Sequence, residues 1–288
     1  MKLLRVGPPG AERPFALGPD GTAYDLSGLT PDIDGAFLSR LGPDRFDPAE
    51  LAAAVARGEL PTADLTGLRI GAPVARPGKL VCVGLNYRDH AEEAGAAIPA
   101  EPVLFLKGTD TVIGPDDEVL VPRGAAKTDH EIELAVVIGR RARYLETDEQ
   151  AAACIAGYAI SNDVTERAFQ LERGGQWDKG KCCETFNPLG PWLVTPDEVA
   201  DPQALPLRLW VNGELRQDGN TAAQIFPVLE VLRYISRFMV LEPGDVVSTG
   251  TPAGVAMGRP DTPFLVPGDV LELEIEGLGR QRQVLGKA

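Results

Sequence analysis

Residues 128–139 read TDHEIELAVVIG: three acids spaced two apart, then six residues that are almost wholly apolar. Side chains alternate faces along a strand, so Asp129, Glu131 and Glu133 share one face while His130 and Ile132 take the other. The apolar run places this strand in the core. Two carboxylates on one face, within ~7 Å of each other, repel unless a cation or a proton separates them. The ordinary reading of Glu-x-Glu is an exposed strand edge with solvated acids, and the apolar run weighs against it here. A metal site needs a third ligand from elsewhere. YAISNDVTERAFQ (158–170) offers candidates, and Asp163 there follows a short apolar run, at a strand end. Three carboxylates without Cys or clustered His favour a hard cation with oxygen ligands, Mg²⁺ or Mn²⁺. Zinc is disfavoured: the two histidines of the chain are His90 and His130, and strand geometry turns His130 away.

Around this strand the chain reads as mixed α/β and β-rich. Residues 1–75 alternate short strand-like pieces with Gly/Pro turns (PPG, GPDG, GLTPD) and predict a small N-terminal α+β domain. One helix is expected there over 48–57, with Asp47 as N-cap, Pro48 at its first position and Gly58 as a stop. GAPVARPGK (71–79) reads as a linker. From Leu80 onward, LVCVG, PVLFLK, EVLVP, IELAVVIG, LRLWVNG, DVVSTG and DVLELEIEGLG are short runs bounded by Gly, Pro or Asp. Helical windows at 148–155 and 225–240 interrupt them. Strands and helices do not alternate regularly, which argues against a doubly wound fold. The second domain is expected over 76–288.

Three further segments carry chemistry. In VGLNYRDHAEEAG (83–95), His90 and Glu93 are three apart, and on a helical turn they share a face. A carboxylate beside an imidazole fixes its tautomer and supports the imidazolium, as a general base requires. The segment is short, polar and Gly-bounded, as a lid would be. ERGGQWDKGKCCETFNPLGP (172–191) brings Lys181 in a Gly-rich loop, a candidate partner for an anionic substrate. VVSTGTPAGVAMG (246–258) is not GxGxxG, but its backbone N–H groups can form an anion nest and Thr251 adds a hydroxyl.

Net charge is −14, and no basic tract exceeds Arg140-Arg141, which excludes nucleic acid and an anionic membrane surface as partners. Apolar runs are far too short to span a bilayer. Four cysteines form no CxxC pair, and with no secretory leader the chain reads as a reduced, cytoplasmic protein. Adjacent Cys182 and Cys183 read as small buried apolar residues.

Taken together and in order, VGLNYRDHAEEAG, PVLFLKG, TDHEIELAVVIGR, GYAISNDVTERAFQ, GGQWDKGKCCETFNPLGPWLVT and STGTPAGVAMG strongly resemble the fumarylacetoacetate hydrolase family, over about 78–288. MKLLRVG, ERAFQ and GGQWDKGK carry a narrower likeness to its 2,4-diketo-3-deoxy-L-fuconate hydrolase type. The resemblance implies a β-roll fold, a homodimer and Mg²⁺ or Mn²⁺. It implies metal ligands at Glu131, Glu133 and Asp163 and a base dyad at His90 and Glu93. It also implies a catalytic Lys181 and substrate contacts at Gln170, Thr251 and Lys107. His130 stands where an aromatic is usual, Cys182 where Ser is and Glu184 where Asp is. The implied reaction cleaves the C3–C4 bond of a small anionic 2,4-dioxo acid, an acylpyruvate or a sugar-acid derivative, to pyruvate and a second acid. Oxaloacetate decarboxylation and isomerisation of a 2-hydroxymuconate-type diacid use the same metal–enolate chemistry and are the alternative enzyme readings. A non-catalytic metal-binding scaffold is the alternative outside enzymes.

Overall fold

A computed structural model describes residues 1–41 and 48–288. Strand Ile132–Ile138 is buried at every position. It lies antiparallel to Ile155–Asn162 on one side and to Val246–Ser248 on the other. Ile132, Leu134, Val136 and Ile138 enter one hydrophobic cluster, and Ala135 and Val137 enter a second. A strand with a core on each face has no polar side to show, hence the unbroken apolar run.

Among the described residues twelve strands form the sheet around it. Ten follow one another across it: Thr62–Ala63, Ala23–Asp25, Arg13–Leu17, Lys2–Val6, Asn187–Val194, Ile155–Asn162, Ile132–Ile138, Val246–Ser248, Leu80–Gly84 and Val103–Lys107. Ile70–Gly71 pairs with Lys2–Val6, and Val112–Ile113 with Asn187–Val194. A five-stranded sheet ordered Glu214–Asn220, Pro206–Val211, Val270–Ile275, Gly279–Lys287, Val119–Val121 supplies Leu207, Leu209, Leu271 and Leu273 to the cluster that holds Leu134. The fold is mixed α/β and rich in strands, as expected.

The N-terminal residues cover the other face. Leu3, Ala16, Leu26, Ile33 and Phe37 share a cluster with Ala135 and Val137. Lys2 and Leu3 pair with Val194 and Leu193, so the sheet runs on through the expected boundary at residue 75. GAPVARPGK is not a free linker: Gly71 pairs with Arg5, and Ala72, Val74 and Ala75 are packed away from solvent. Its apolar residues gain more from burial than from solvent.

Two helices are shorter than expected. Thr147 and Gln150 form a capping box at the start of Asp148–Ala152, but Ile155 already belongs to a strand. Helix Val228–Ile235 starts only after Pro227, which is extended (φ −60°, ψ 157°) and caps it; a proline also disfavours the helical region at the residue before it. The helix near residue 50 spans Pro48–Ala56, and the expected Asp47 cap lies outside the described residues. Among the described residues no helix is long and apolar enough to cross a membrane.

Leu134 is fully buried in the middle of the central strand. Leu134→Ala should cost about 2–5 kcal/mol of stability, measured as a lowered urea midpoint with an unchanged slope. An unmoved midpoint would contradict the two-sided core.

Candidate active site

At the start of the central strand its odd-numbered face leaves the core and lines a cavity of about 170 Å³, bordered by Glu131, Glu133, His90, Arg167, Gln170, Lys181 and Thr251 among others. Asp163 comes from the end of the neighbouring strand. Its backbone N–H donates to Glu131 O at 2.9 Å, which sets the two carboxylates side by side. One oxygen from each of Glu131, Glu133 and Asp163 lies within 4.8 Å of the others, and all three residues are buried.

Cations hold this arrangement. Lys181 Nζ donates to Glu131 Oε2 at 2.6 Å and to Asp163 Oδ2 at 2.7 Å. Arg167 donates from Nε to Asp129 Oδ2 at 2.9 Å and from NH2 to Glu131 Oε1 at 2.6 Å, and its NH1 reaches Gln170 Oε1 at 3.2 Å. Burial opposes the charge on Glu131, but Lys181 and Arg167 outweigh it and bring its pKa down to about 2. Burial likewise opposes the charge on Lys181, and Asp163 and Glu131 push its pKa up to about 12. Among the described residues no cation hydrogen-bonds Glu133, though Lys181 lies near enough to favour its charge. Glu133 accepts one N–H, from Gly250 at 2.9 Å, and burial together with Asp163 and Glu131 raises its pKa well above the carboxylate range.

Charge and donor chemistry both suit a divalent metal. Four buried carboxylates (Asp129, Glu131, Glu133, Asp163) face three buried cations (Lys107, Arg167, Lys181). One further positive charge is needed before Glu133 can ionise cheaply. Oxygen donors alone, from three carboxylates, match a hard cation such as Mg²⁺ or Mn²⁺. His130 stays out of the cluster, as strand alternation predicts, and its Nε2 lies 3.3 Å from Gly254 O.

His90 and Glu93 sit on helix Arg88–Glu93. His90 Nδ1 lies 3.8 Å from Glu93 Oε2, outside hydrogen-bond reach, and has no other partner among the described residues. Such pairs often tighten only with substrate bound. Glu93 is fixed independently, accepting from Gly254 N–H at 2.9 Å and from Arg259 Nε at 2.7 Å. Burial opposes its charge, but His90, Gly254 and Arg259 lower its pKa to about 2. Asn86 anchors the start of this segment by donating to Phe226 O and Thr249 O. Leu85, on the cavity wall, takes the left-handed backbone region at φ 53°, a strained choice for a leucine.

Of the substrate contacts expected from sequence, Gln170 and Thr251 line the cavity and Lys107 does not. Lys107 is buried behind Asp163: its ammonium donates to Asp163 Oδ1, to Val164 O at 3.1 Å and to Phe186 O at 2.6 Å. With its three donors engaged it positions the carboxylate instead of meeting a ligand. Lys181 and Gln170 are brought together by Gly180, where a Cβ would fall 2.4 Å from Glu166 O. Cys182 is exposed, not buried, and its Sγ accepts from Gly108 N–H. Burial raises the pKa of Cys183 to about 11, in line with inert thiols. Sequence reasoning assigned no role to Arg167 and gave Asp129 only a place on the shared face. The spacing of Arg167, three before Gln170 with Ala168 and Phe169 between, is the available signal.

With this geometry in hand, comparison with known proteins is direct. The profile of the fumarylacetoacetate (FAA) hydrolase C-terminal domain matches residues 79–285. The chain belongs to the fumarylacetoacetate hydrolase family. A Burkholderia multivorans relative provisionally named a hydrolase is 50% identical, covering 99% of this chain and 98% of its own length. A fumarylacetoacetate hydrolase from Exiguobacterium antarcticum superposes with TM-score 0.85 at 35% identity, over 100% of both chains. A maleylpyruvate hydrolase from Sphingobium gives TM-score 0.80 at 30% identity, again over 100% of both chains. A 5-carboxymethyl-2-hydroxymuconate delta-isomerase from Mycobacterium smegmatis gives 0.77 at 32%, over 100% of this chain and 99% of its own. Hydrolases and isomerases of this family thus share the fold seen here.

The lowered pKa of Glu93 has a consequence for stability. The folded-state value of about 2 lies below the ordinary 4.5, so ionised Glu93 stabilises the fold above that ordinary value. This contribution is lost as pH falls toward about 2. Wild-type Tm should therefore fall more steeply than that of Glu93→Gln between about pH 5 and about pH 2. Parallel curves would mean that Gly254 and Arg259 do not hold the charged form.

Proposed function

We propose that this chain is a divalent-metal-dependent hydrolase that cleaves the C3–C4 bond of a 2,4-dioxo acid, giving pyruvate and a second carboxylic acid. The supporting observation is the three-carboxylate cluster, of which Glu131 and Glu133 line one small cavity together with His90. Glu131, Glu133 and Asp163 would hold Mg²⁺ or Mn²⁺, which supplies Lewis-acid stabilisation of negative charge on a 2-oxo acid and its enolate.

The chain's own groups carry the remaining steps. His90, oriented by Glu93, takes a proton from water, whose oxygen bonds to C4. The C3–C4 bond breaks, its electron pair passes into the pyruvate enolate, and C3 is reprotonated. Lys181, anchored between Glu131 and Asp163, offsets the growing negative charge. Gln170, tied to Arg167, and Thr251, tied to Ile132 O, orient the substrate from opposite elements of the fold. Since a solved relative of the same fold is an isomerase, proton shuttling without C–C cleavage is the second reading.

Pyruvate release from acylpyruvates with Mg²⁺ present is the test. His90→Ala should lower kcat by about 10²–10⁴-fold while Mn²⁺ still binds. Glu131→Ala should abolish metal-dependent turnover, and a chelator should do the same to the wild type. Wild-type rates in His90→Ala, or rates indifferent to chelator, would reject the mechanism. Ketonisation of a hydroxymuconate without any pyruvate release would favour the isomerase reading.

A further inference from the structure

Of the two histidines in the chain, the proposed reaction uses His90 and leaves His130 without a role. His130 is buried and does not border the cavity. Burying an imidazole costs free energy unless its polar nitrogens are bonded. One of them is, with Nε2 lying 3.3 Å from Gly254 O. A carbonyl oxygen only accepts, so Nε2 carries the proton and donates it. Nδ1 lies 3.6 Å from Asp129 Oδ1 and has no hydrogen-bond partner among the described residues. Asp129 is already served by four N–H groups, those of Ala256, Met257, the His130 backbone and Arg167 Nε. The ring therefore works through Nε2 alone.

The carbonyl that His130 holds belongs to the residue that holds Glu93. Gly254 N–H donates to Glu93 Oε2 at 2.9 Å and to Oε1 at 3.1 Å. Gly254 has little freedom elsewhere. Its φ of 116° is a backbone region that favours glycine, and a Cβ there would fall 2.0 Å from Arg216 O. Four residues on, a Cβ on Gly258 would fall 2.3 Å from Glu93 Cγ. The turn is thus pressed between strand Glu214–Asn220 and Glu93. Asp129 and His130, adjacent in sequence, grip it at Ala256, Met257 and Gly254.

We infer that His130 is a positioning residue for the His90–Glu93 dyad: by donating to Gly254 O it fixes the turn whose N–H holds Glu93. Its effect on catalysis rests on the proposed function, whereas its hold on Glu93 does not. Phenylalanine keeps a ring in this space and loses the donor. Glutamine places an amide N–H where Nε2 stands, and asparagine places one where Nδ1 stands.

Long-range ¹H–¹⁵N correlation of the two imidazoles reads the tautomer in the wild type, without substrate. His130 should carry a proton on Nε2. A proton on Nδ1 with Nε2 bare would overturn the role. The second measurement follows the Glu93 carboxyl by ¹³C NMR. Its pKa, lowered to about 2 in the wild type, should rise in His130→Phe. Pyruvate release should show kcat down about 10–100-fold in that variant, with KM and the Mn²⁺ Kd within about threefold of the wild type. His130→Gln should bring both readings most of the way back, and His130→Asn should not. This contrast and the wild-type tautomer decide the matter even where His130→Phe fails to fold. An unmoved Glu93, equal recovery with Gln and Asn, or a loss carried by KM or Mn²⁺ affinity alone would overturn the positioning role. A shifted Glu93 with no pyruvate released by any form, the wild type included, sinks the hydrolase reading and leaves the role of His130 standing. Wild-type pyruvate release from His130→Phe, with Glu93 unmoved, does the reverse.

Discussion

Glu131, Glu133 and Asp163 bring their carboxylates within 4.8 Å of one another inside the protein. Taking such charges out of water costs several kcal/mol each unless partners surround them. Much of the architecture near the site answers that cost. Lys107 arrives from the edge strand, Lys181 from a short helix after a Gly-rich loop, and Arg167 from the helix that follows Asp163. Asp129 binds the Arg167 side chain and also accepts from the backbone of Ala256 and Met257, which fastens the Gly-rich turn to the cluster. Gly254, in that same turn, holds Glu93. The carboxylate cluster and the His90 helix are thus two ends of one hydrogen-bonded chain.

The strand that carries the cluster is fixed by apolar burial on both faces. Such a strand cannot slip by one residue without exchanging its two cores, so the register of Glu131 and Glu133 is secure. The N-terminal residues contribute here without touching the chemistry, since Leu3, Ile33 and Phe37 close the face on which the two glutamates end. The site is stiff where charge must be held and less tightly tied at His90, whose Nδ1 lacks a partner. That contrast is consistent with a general base that completes its contacts only around substrate.

Local periodicity made part of this legible. Two-residue alternation places Glu131 and Glu133 together and turns His130 away, and three-residue spacing puts His90 and Glu93 on one helical turn, where they stop 3.8 Å apart. Counter-charges were harder to read, because the partners of Glu131 lie 36 and 50 residues along the chain. No local pattern specifies such pairings; the family resemblance implies a substrate contact for Lys107, whereas its buried ammonium is bonded to Asp163, Val164 and Phe186. The helix ends near 155 and 225 fall short of local propensity because a strand claims Ile155 and the extended Pro227 delays the second helix to Val228. The Pro/Gly-rich stretch at 71–79 looked like a linker because its few apolar residues gain meaning only once a core lies beneath them.

The central claim is that the unbalanced charge around Glu133 is met by a divalent cation. A crystal soaked in Mn²⁺ and measured at the manganese absorption edge tests this most directly. The account predicts one strong anomalous peak within about 2.0–2.4 Å of oxygens from Glu131, Glu133 and Asp163. No peak there, or a peak only elsewhere, would contradict it.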